Sequence, residues 1–216
     1  MINRDNNYEG LYENQLIDYY KKKKCVYDFA NDISKFVNGV PSNIIDEVHC
    51  NINCAQRIFL IGNGGSAAIC DHIANDLIKR CEKKAFTLSS YPLLTCLAND
   101  YDFENMYTKW LDFMDFSTYR IRNFASIEVT STIPDYLPPK DMLIAISSSG
   151  KSEDIVRPMK TFINTDCYIL GISGFNGFDD MICNRHIHFP SDNYGIVEMA
   201  TEVLLHGIVE ALAIGE

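Results

Sequence analysis

The sequence predicts an α/β fold built on a parallel sheet, and three observations carry that prediction. Short apolar runs at residues 58–61 and 142–147 lack the polar alternation of a half-exposed strand, as expected of strands covered on both faces. Segments with apolar residues at helical spacing separate these runs. Two of the runs end in a turn of small residues that opens a helix pattern, the place where α/β sheets bind ligands.

The elements follow in order. Tyr8, Leu11, Tyr12, Leu16, Ile17 and Tyr20 recur at roughly helical spacing, and Val26, Phe29, Ala30, Ile33 and Phe36 continue it. Pro41-Ser42 restarts the pattern with Ser42 as N-cap and Ile44, Ile45 and Val48 on one face. Two or three helices are therefore expected across residues 1–55. Beyond them, strands are expected at 58–61, 85–88, 142–147, 168–172 and, edge-like, 186–189. Helices are expected at 66–79, 105–114, 153–162 and about 196–213, with a helical turn at 93–98 and a short helix at 178–183. Residues 115–140 break the rhythm. The segment 126–132 alternates like an exposed strand and Pro134, Pro138 and Pro139 bracket a loop, so this stretch reads as a surface excursion from a single domain spanning 1–216.

Composition narrows the function. The net charge of −10 over 216 residues argues against a general nucleic-acid binder, whose affinity rests on Lys and Arg against phosphates. The basic run Lys21–Lys24 lies in a helical pattern and reads as a solvated face. No window holds some twenty uninterrupted apolar residues, so no membrane helix is expected. The polar first residues lack a signal peptide's basic flank and apolar core, which predicts a cytoplasmic protein. The eight cysteines read as reduced thiols rather than a disulfide framework, with Cys96 and Cys167 inside apolar runs. His49-Cys50 and Cys54 lack a second ligand pair at zinc-site spacing.

The first small-residue turn is Gly62-Asn63-Gly64-Gly65-Ser66-Ala67. Free backbone N–H groups and the positive end of a helix dipole can hold an anion there. The turn satisfies the dinucleotide pattern G-x-G-x-x-[GA], but the second strand ends in Ser89-Ser90 with no acidic residue for a ribose, so no nucleotide is expected. No G-K-[ST] closes the turn, which excludes a P-loop. The second turn, Ser147-Ser148-Ser149-Gly150-Lys151-Ser152, crowds hydroxyls at a helix start, where they can donate to phosphate oxygens.

A third feature is a set of imidazoles and carboxylates. His72 and Asp76 lie four apart on the helix after the glycine turn, and Glu198, Glu202 and His206 recur every four residues on the last helix, with Glu210 extending the row. Their neighbours on that helix are almost all apolar, so the row faces either solvent or a polar site. Two imidazoles with two carboxylates can bind zinc tetrahedrally or act as acid and base.

Taken together, Gly62-Asn-Gly-Gly-Ser66, His72-x3-Asp76, Leu94-Thr-Cys-Leu-Ala-Asn99-Asp100-Tyr101, Ile146-Ser-Ser-Ser-Gly-Lys-Ser152 and Glu198-x7-His206 resemble the sugar isomerase (SIS) domain family, and within it the phosphoheptose isomerases. The pieces run in family order over roughly residues 45–213. The resemblance implies a three-layer sandwich with a five-stranded parallel sheet, flavodoxin-like, in a homotetramer with sites between subunits. It implies interconversion of sedoheptulose 7-phosphate and a manno-heptose 7-phosphate. By position, Ser147, Ser148, Ser149 and Ser152 would hold the phosphate; Asn63, Gly64, Gly65, Ser66, Asn99 and Asp100 would line the sugar; and His72, Asp76, Glu198 and His206 would bind zinc or another divalent metal.

The chain also departs from the family pattern. Asp76 stands where the presumed proton-transferring Glu is usual, shortening the arm by about 1.5 Å, one C–C bond. Glu198 replaces the usual Gln, and a second carboxylate there could strengthen a metal site or serve as base. Residues 115–140 include an insertion. Asp76, with Glu198 as substitute, is the expected base, and His206 the acid or a metal ligand. Two other functions fit the same residues: a non-catalytic binder of a sugar phosphate or protein partner, and an isomerase or epimerase for another sugar phosphate.

Overall fold

A computed structural model of the chain describes residues 8–117, 141–178 and 182–214. The excursion expected at 115–140 and the short helix expected at 178–183 therefore lie largely outside the described residues. Strands β1 (Ile58–Gly62), β2 (Ala85–Thr87), β3 (Asp141–Ser147), β4 (Cys167–Ser173) and β5 (Arg185–His188) form one sheet in the order β2-β1-β3-β4-β5, with every pairing parallel. β1 and β3 are buried along their whole length, which is why their apolar runs carry no alternation. β5 is an edge strand and is partly exposed, as its mixed sequence suggested.

Helices α1 (Tyr8–Asn38), α2 (Ser42–Cys54), α3 (Gly65–Cys81), α4 (Tyr91–Tyr101), α5 (Met106–Phe113), α6 (Glu153–Phe162) and α7 (Tyr194–Ile214) flank the sheet. Successive strand residues point to opposite faces, so β1 divides its side chains between two cores. Ile58 and Leu60 join α2, α3, α7 and the second half of α1 on one face. Phe59 and Ile61 join α4, α5 and α6 on the other. The result is the three-layer α/β sandwich with a helical N-terminal segment that the sequence predicts. No helix among the described residues is long and apolar enough to cross a membrane.

Three local expectations are corrected. Ser42 is the first helical residue of α2, and the N-cap is Pro41, whose extended backbone (φ −60°, ψ 140°) leads in without a side-chain cap. The expected turn at 93–98 is an 11-residue helix, because Pro92 falls in its first turn, where proline is tolerated. Cys96 on that helix is exposed rather than buried; Leu97 is the helix's one buried residue, whereas Cys167 is buried as expected.

Arg57 and Asp141 tie the starts of β1 and β3. The guanidinium meets the carboxylate at 2.5 Å and also donates to the carbonyls of Met114 and Asp115, while Asp141 accepts from the Ser117 amide. Both ends of the undescribed stretch 118–140 are thereby anchored at one edge of the core.

Candidate functional site

The two small-residue turns lie side by side because β1 and β3 are neighbours paired in register, Gly62 opposite Ile146. Gly62 has no room for a side chain: an added Cβ would lie 2.8 Å from the Ser66 backbone. Gly64 adopts φ +54° to turn the chain into α3. From the opposite face of the sheet the buried Tyr107 hydroxyl donates to the Gly62 carbonyl at 2.5 Å, and burial pushes that phenol's pKa up. At the second turn Gly150 (φ +67°) packs on Gly177, and the Gly174 amide donates to the Ser148 carbonyl at 2.9 Å.

A cavity of about 110 Å³ opens between the turns, lined by Asn63, Ser66, Ser147, Ser148, Ser149, Ser152, Tyr194 and Glu198 among others. The hydroxyls of Ser147 and Ser148 are buried there with no hydrogen-bond partner among the described residues. Buried polar groups are rarely left unpaired, so donors converging on the start of a helix fit a small anion. The volume is well below the roughly 300–1,000 Å³ of a pocket that encloses a whole drug-sized ligand. Asp154, absent from the sequence-based set, holds this corner together by accepting from Asn63 Nδ2 at 2.7 Å. Burial raises its carboxyl pKa, opposed by the Asn63 hydrogen bond. Its place two residues beyond Ser152 is that of an ordinary acidic residue in a first helical turn, so the sequence carries no signal for it.

The polar row on α7 meets a polar site and stays partly open to solvent: Glu202, His206 and Glu210 pack against His72, Asp76 and Arg80 of α3. His72 Nδ1 lies 3.3 Å from Glu202 Oε1, Asp76 Oδ2 lies 3.3 Å from His206 Nδ1, and Arg80 makes two hydrogen bonds to Glu210 at 2.6 and 2.7 Å. Both helices rise about 1.5 Å per residue, so equal steps of four keep successive rungs aligned. The imidazoles of His72 and His206 meet edge to face with centroids 4.5 Å apart. One donor atom from each of His72, Asp76 and His206 falls within 4.8 Å of the others, a donor set that suits zinc or another divalent ion.

The structure thus brings together three of the four residues expected as metal ligands. Glu198 lies apart from them, one turn before Glu202, with its carboxylate so close to Gly65 that a Cβ added there would lie 2.5 Å from Oε2. Gly64 and Gly65 are exposed at the rim, and Ser66 lines the cavity. Asn99 and Asp100 are not brought to it. They sit exposed at the end of α4, where Asn99 Nδ2 donates to Asp100 Oδ1 at 2.9 Å. Glu202 is the other residue missed as a site member, although its place in the four-residue row was visible.

Comparison with known proteins bears on the chain's relatives and its fold. No family model matches the chain. A curated phosphoheptose isomerase from Bordetella avium is 27% identical over 173 residues, covering 74% of this chain and 77% of that one. Another from Nitratiruptor is 31% identical over 144 residues, covering 63% and 65%. Among solved structures, a phosphoheptose isomerase from Francisella tularensis superposes with a TM-score of 0.71 over 92% of this chain and 98% of that chain at 16% identity, which speaks to the fold. The sequence relatives and the superposition together make the chain phosphoheptose isomerase-like in sequence and in fold.

Proposed function

We propose that the protein is an aldose–ketose isomerase of sugar phosphates, interconverting sedoheptulose 7-phosphate and a manno-heptose 7-phosphate. The observation that carries this reading is the pair of buried, unpartnered hydroxyls of Ser147 and Ser148 in the small cavity beside Glu198. They suit a phosphate, with Ser149 and Ser152 beside them. The Asp76–His206 rung begins two helical turns further along α7, roughly 12 Å from Glu198 along the axis. An extended seven-carbon chain with its phosphate ester spans on the order of 10 Å, given C–C bonds of about 1.5 Å. A phosphate among the serines would therefore put the C1–C2 end near that rung, with Asn63, Gly64, Gly65 and Glu198 along the sugar between.

Isomerisation moves one proton between C1 and C2 and another between their oxygens, through an enediolate. Asp76 Oδ2 faces His206, which leaves Oδ1 to take the carbon-bound proton and return it to the neighbouring carbon. His206 serves either as the donor to the substrate oxygen as it gains charge or, where an ion is bound, as one of its ligands. Glu198, near the anion end, is better suited to hold a sugar hydroxyl than to act as base. A divalent ion, zinc in this reading, would be held by His72, Asp76 and His206 and would supply Lewis-acid polarisation of the carbonyl.

A homotetramer with sites between subunits belongs to the same proposal. It is supported by exposed apolar residues on α1 (Leu16, Ile17, Tyr20) and by Met199 and Val203 beside the polar row of α7. In that assembly Asn99 and Asp100 would serve a neighbour's site. The deciding experiment is turnover of sedoheptulose 7-phosphate by wild type and His206→Ala at defined zinc content. Loss of turnover in the variant is expected, and equal rates would end the assignment.

A further inference from the structure

Tyr194 opens α7 one turn before Glu198, so both side chains lie on one face of the helix, and both line the serine cavity. Its ring packs on that of Phe175, with centroids 4.7 Å apart. Phe175 follows β4 and adopts φ +48°, a left-handed conformation that a bulky side chain rarely takes. Three hydrogen bonds hold the backbone there. The Phe175 amide donates to the Ser191 carbonyl at 2.8 Å, His188 Nε2 donates to the Phe175 carbonyl at 3.0 Å, and the Gly174 amide donates to the Ser148 carbonyl at 2.9 Å. Strain that the surrounding contacts enforce points to a task for the residue it places. Here the Phe175 ring props the Tyr194 ring at the serine cavity.

The Tyr194 hydroxyl, by contrast, has no hydrogen-bond partner among the described residues. No Lys or Arg lines the cavity, whereas Glu198 does, and the Asp154 carboxylate is bound to Asn63 at its corner. A phosphate monoester carries close to two negative charges on three strongly accepting oxygens. Those oxygens accept more hydrogen bonds than the buried Ser147 and Ser148 hydroxyls donate. A phenol adds a donor without adding charge. We infer that Tyr194 is a ligand-binding residue of this cavity, propped by Phe175, whose hydroxyl donates to the phosphate of a sugar phosphate. The inference rests on the phosphate part of the functional reading and deepens it, since Tyr194 lies outside every motif that carries the family resemblance.

The test is calorimetric titration of inorganic phosphate into wild type, Tyr194→Phe, Tyr194→Ala and Phe175→Gly, followed by KM and kcat for sedoheptulose 7-phosphate. Tyr194→Phe keeps the ring against Phe175 and removes only the donor. It is expected to weaken phosphate binding about 10-fold, the scale of one hydrogen bond to a charged group. KM should rise by a similar factor, with a smaller change in kcat. Phe175→Gly accepts the backbone conformation but removes the prop, so a smaller loss of phosphate affinity is expected. Thermal melts without ligand separate a folding defect from a binding defect. Phosphate affinity unchanged in Tyr194→Phe would overturn the inference even if Tyr194→Ala bound weakly, because the ring alone would then matter. Wild type that binds no phosphate would overturn it together with the phosphate site. A 10-fold loss in Tyr194→Phe sustains it whether or not wild type turns over the sugar, so the isomerase reading fails separately, on absent turnover.

Discussion

Asn63 Nδ2 donates to Asp154 Oδ2 at 2.7 Å, and this hydrogen bond joins the glycine turn after β1 to the start of the helix after β3. The two residues are far apart in sequence and meet because their strands pair in register. Asp154 is 3% exposed. The contact fixes which way the Asn63 amide points, leaving its carbonyl for the cavity, and puts an acidic group close to a corner suited to an anion.

Replacing Asp154 with Asn tests what that burial costs. Desolvation raises the carboxyl pKa in the folded protein, so folding favours the protonated form. The stabilisation is present in acid, below the ordinary aspartate range, and is lost as pH rises through the raised value. Asp154→Asn keeps an acceptor for Asn63 and removes the charge. The variant should melt above wild type at pH 7, with the gap closing as pH falls toward 4, and should bind inorganic phosphate more tightly. A gap in melting temperature that stays constant across this range would count against the assignment.

Gly150→Ala should damage the serine turn specifically. The residue sits at φ +67°, where a side chain costs about 1–3 kcal/mol, and a Cβ there would also overlap the Gly177 carbonyl. A loss of roughly 2 kcal/mol or more is expected, lowering the melting temperature by about 4 °C or more. Affinity for phosphate should fall further than global stability accounts for, since Ser148 and Ser149 immediately precede the strained position. Scanning calorimetry with and without phosphate separates the two effects.

The Arg57–Asp141 pair should be among the most sensitive charged sites away from the cavity. The two side chains are 13% and 4% exposed, and the Arg57 guanidinium lies 5.2 Å from the Phe59 ring centroid. Asp141→Asn removes the carboxylate that faces a largely buried guanidinium, a change that typically costs about 3–5 kcal/mol. Denaturant unfolding should register a loss of that size. A loss below about 1 kcal/mol, the scale of a surface pair, would mean that solvent reaches the pair.

What could be read from the sequence, and what could not, divides along the line between local and tertiary information. The strands announce themselves because β1 and β3 are buried on both faces and carry nothing polar until their ends. The four-residue rows of α3 and α7 are equally legible, since spacing within a helix is fixed by its geometry. Which rung meets which is not, because that depends on how far one helix slides along the other. Hence Glu202 rather than Glu198 lies beside the histidines. Asp154 and Tyr107 escaped notice for the same reason: each acts on a turn contributed by a distant strand. The burial of Cys96 failed differently. Its apolar neighbours suggest a core helix, yet α4 buries only Leu97 and leaves the thiol beside Asp100 at 3.4 Å.

Glu47 offers the last test, at the opposite margin of the sheet. It pairs with Arg185 of β5 and accepts from the Tyr168 hydroxyl of β4 at 2.7 Å, fastening α2 to two strands. The Arg185 hydrogen bond, partly opposed by burial and assisted by Tyr168, holds the Glu47 carboxyl pKa below its ordinary value. A depressed carboxylate contributes stability that is fully present above the ordinary glutamate range and is lost as pH falls through the folded-state value. Glu47→Gln should therefore be less stable than wild type at pH 7 by about 1 kcal/mol, a modest figure because both side chains are about one-third exposed to screening solvent. The two proteins should converge as the pH falls through the lowered folded-state pKa, where wild-type Glu47 becomes protonated. Urea unfolding at pH 7 and over a series of increasingly acidic pH values gives the answer. A deficit that persists unchanged in acid would trace to lost packing against Tyr168 and Arg185, and the electrostatic account of this joint would fail.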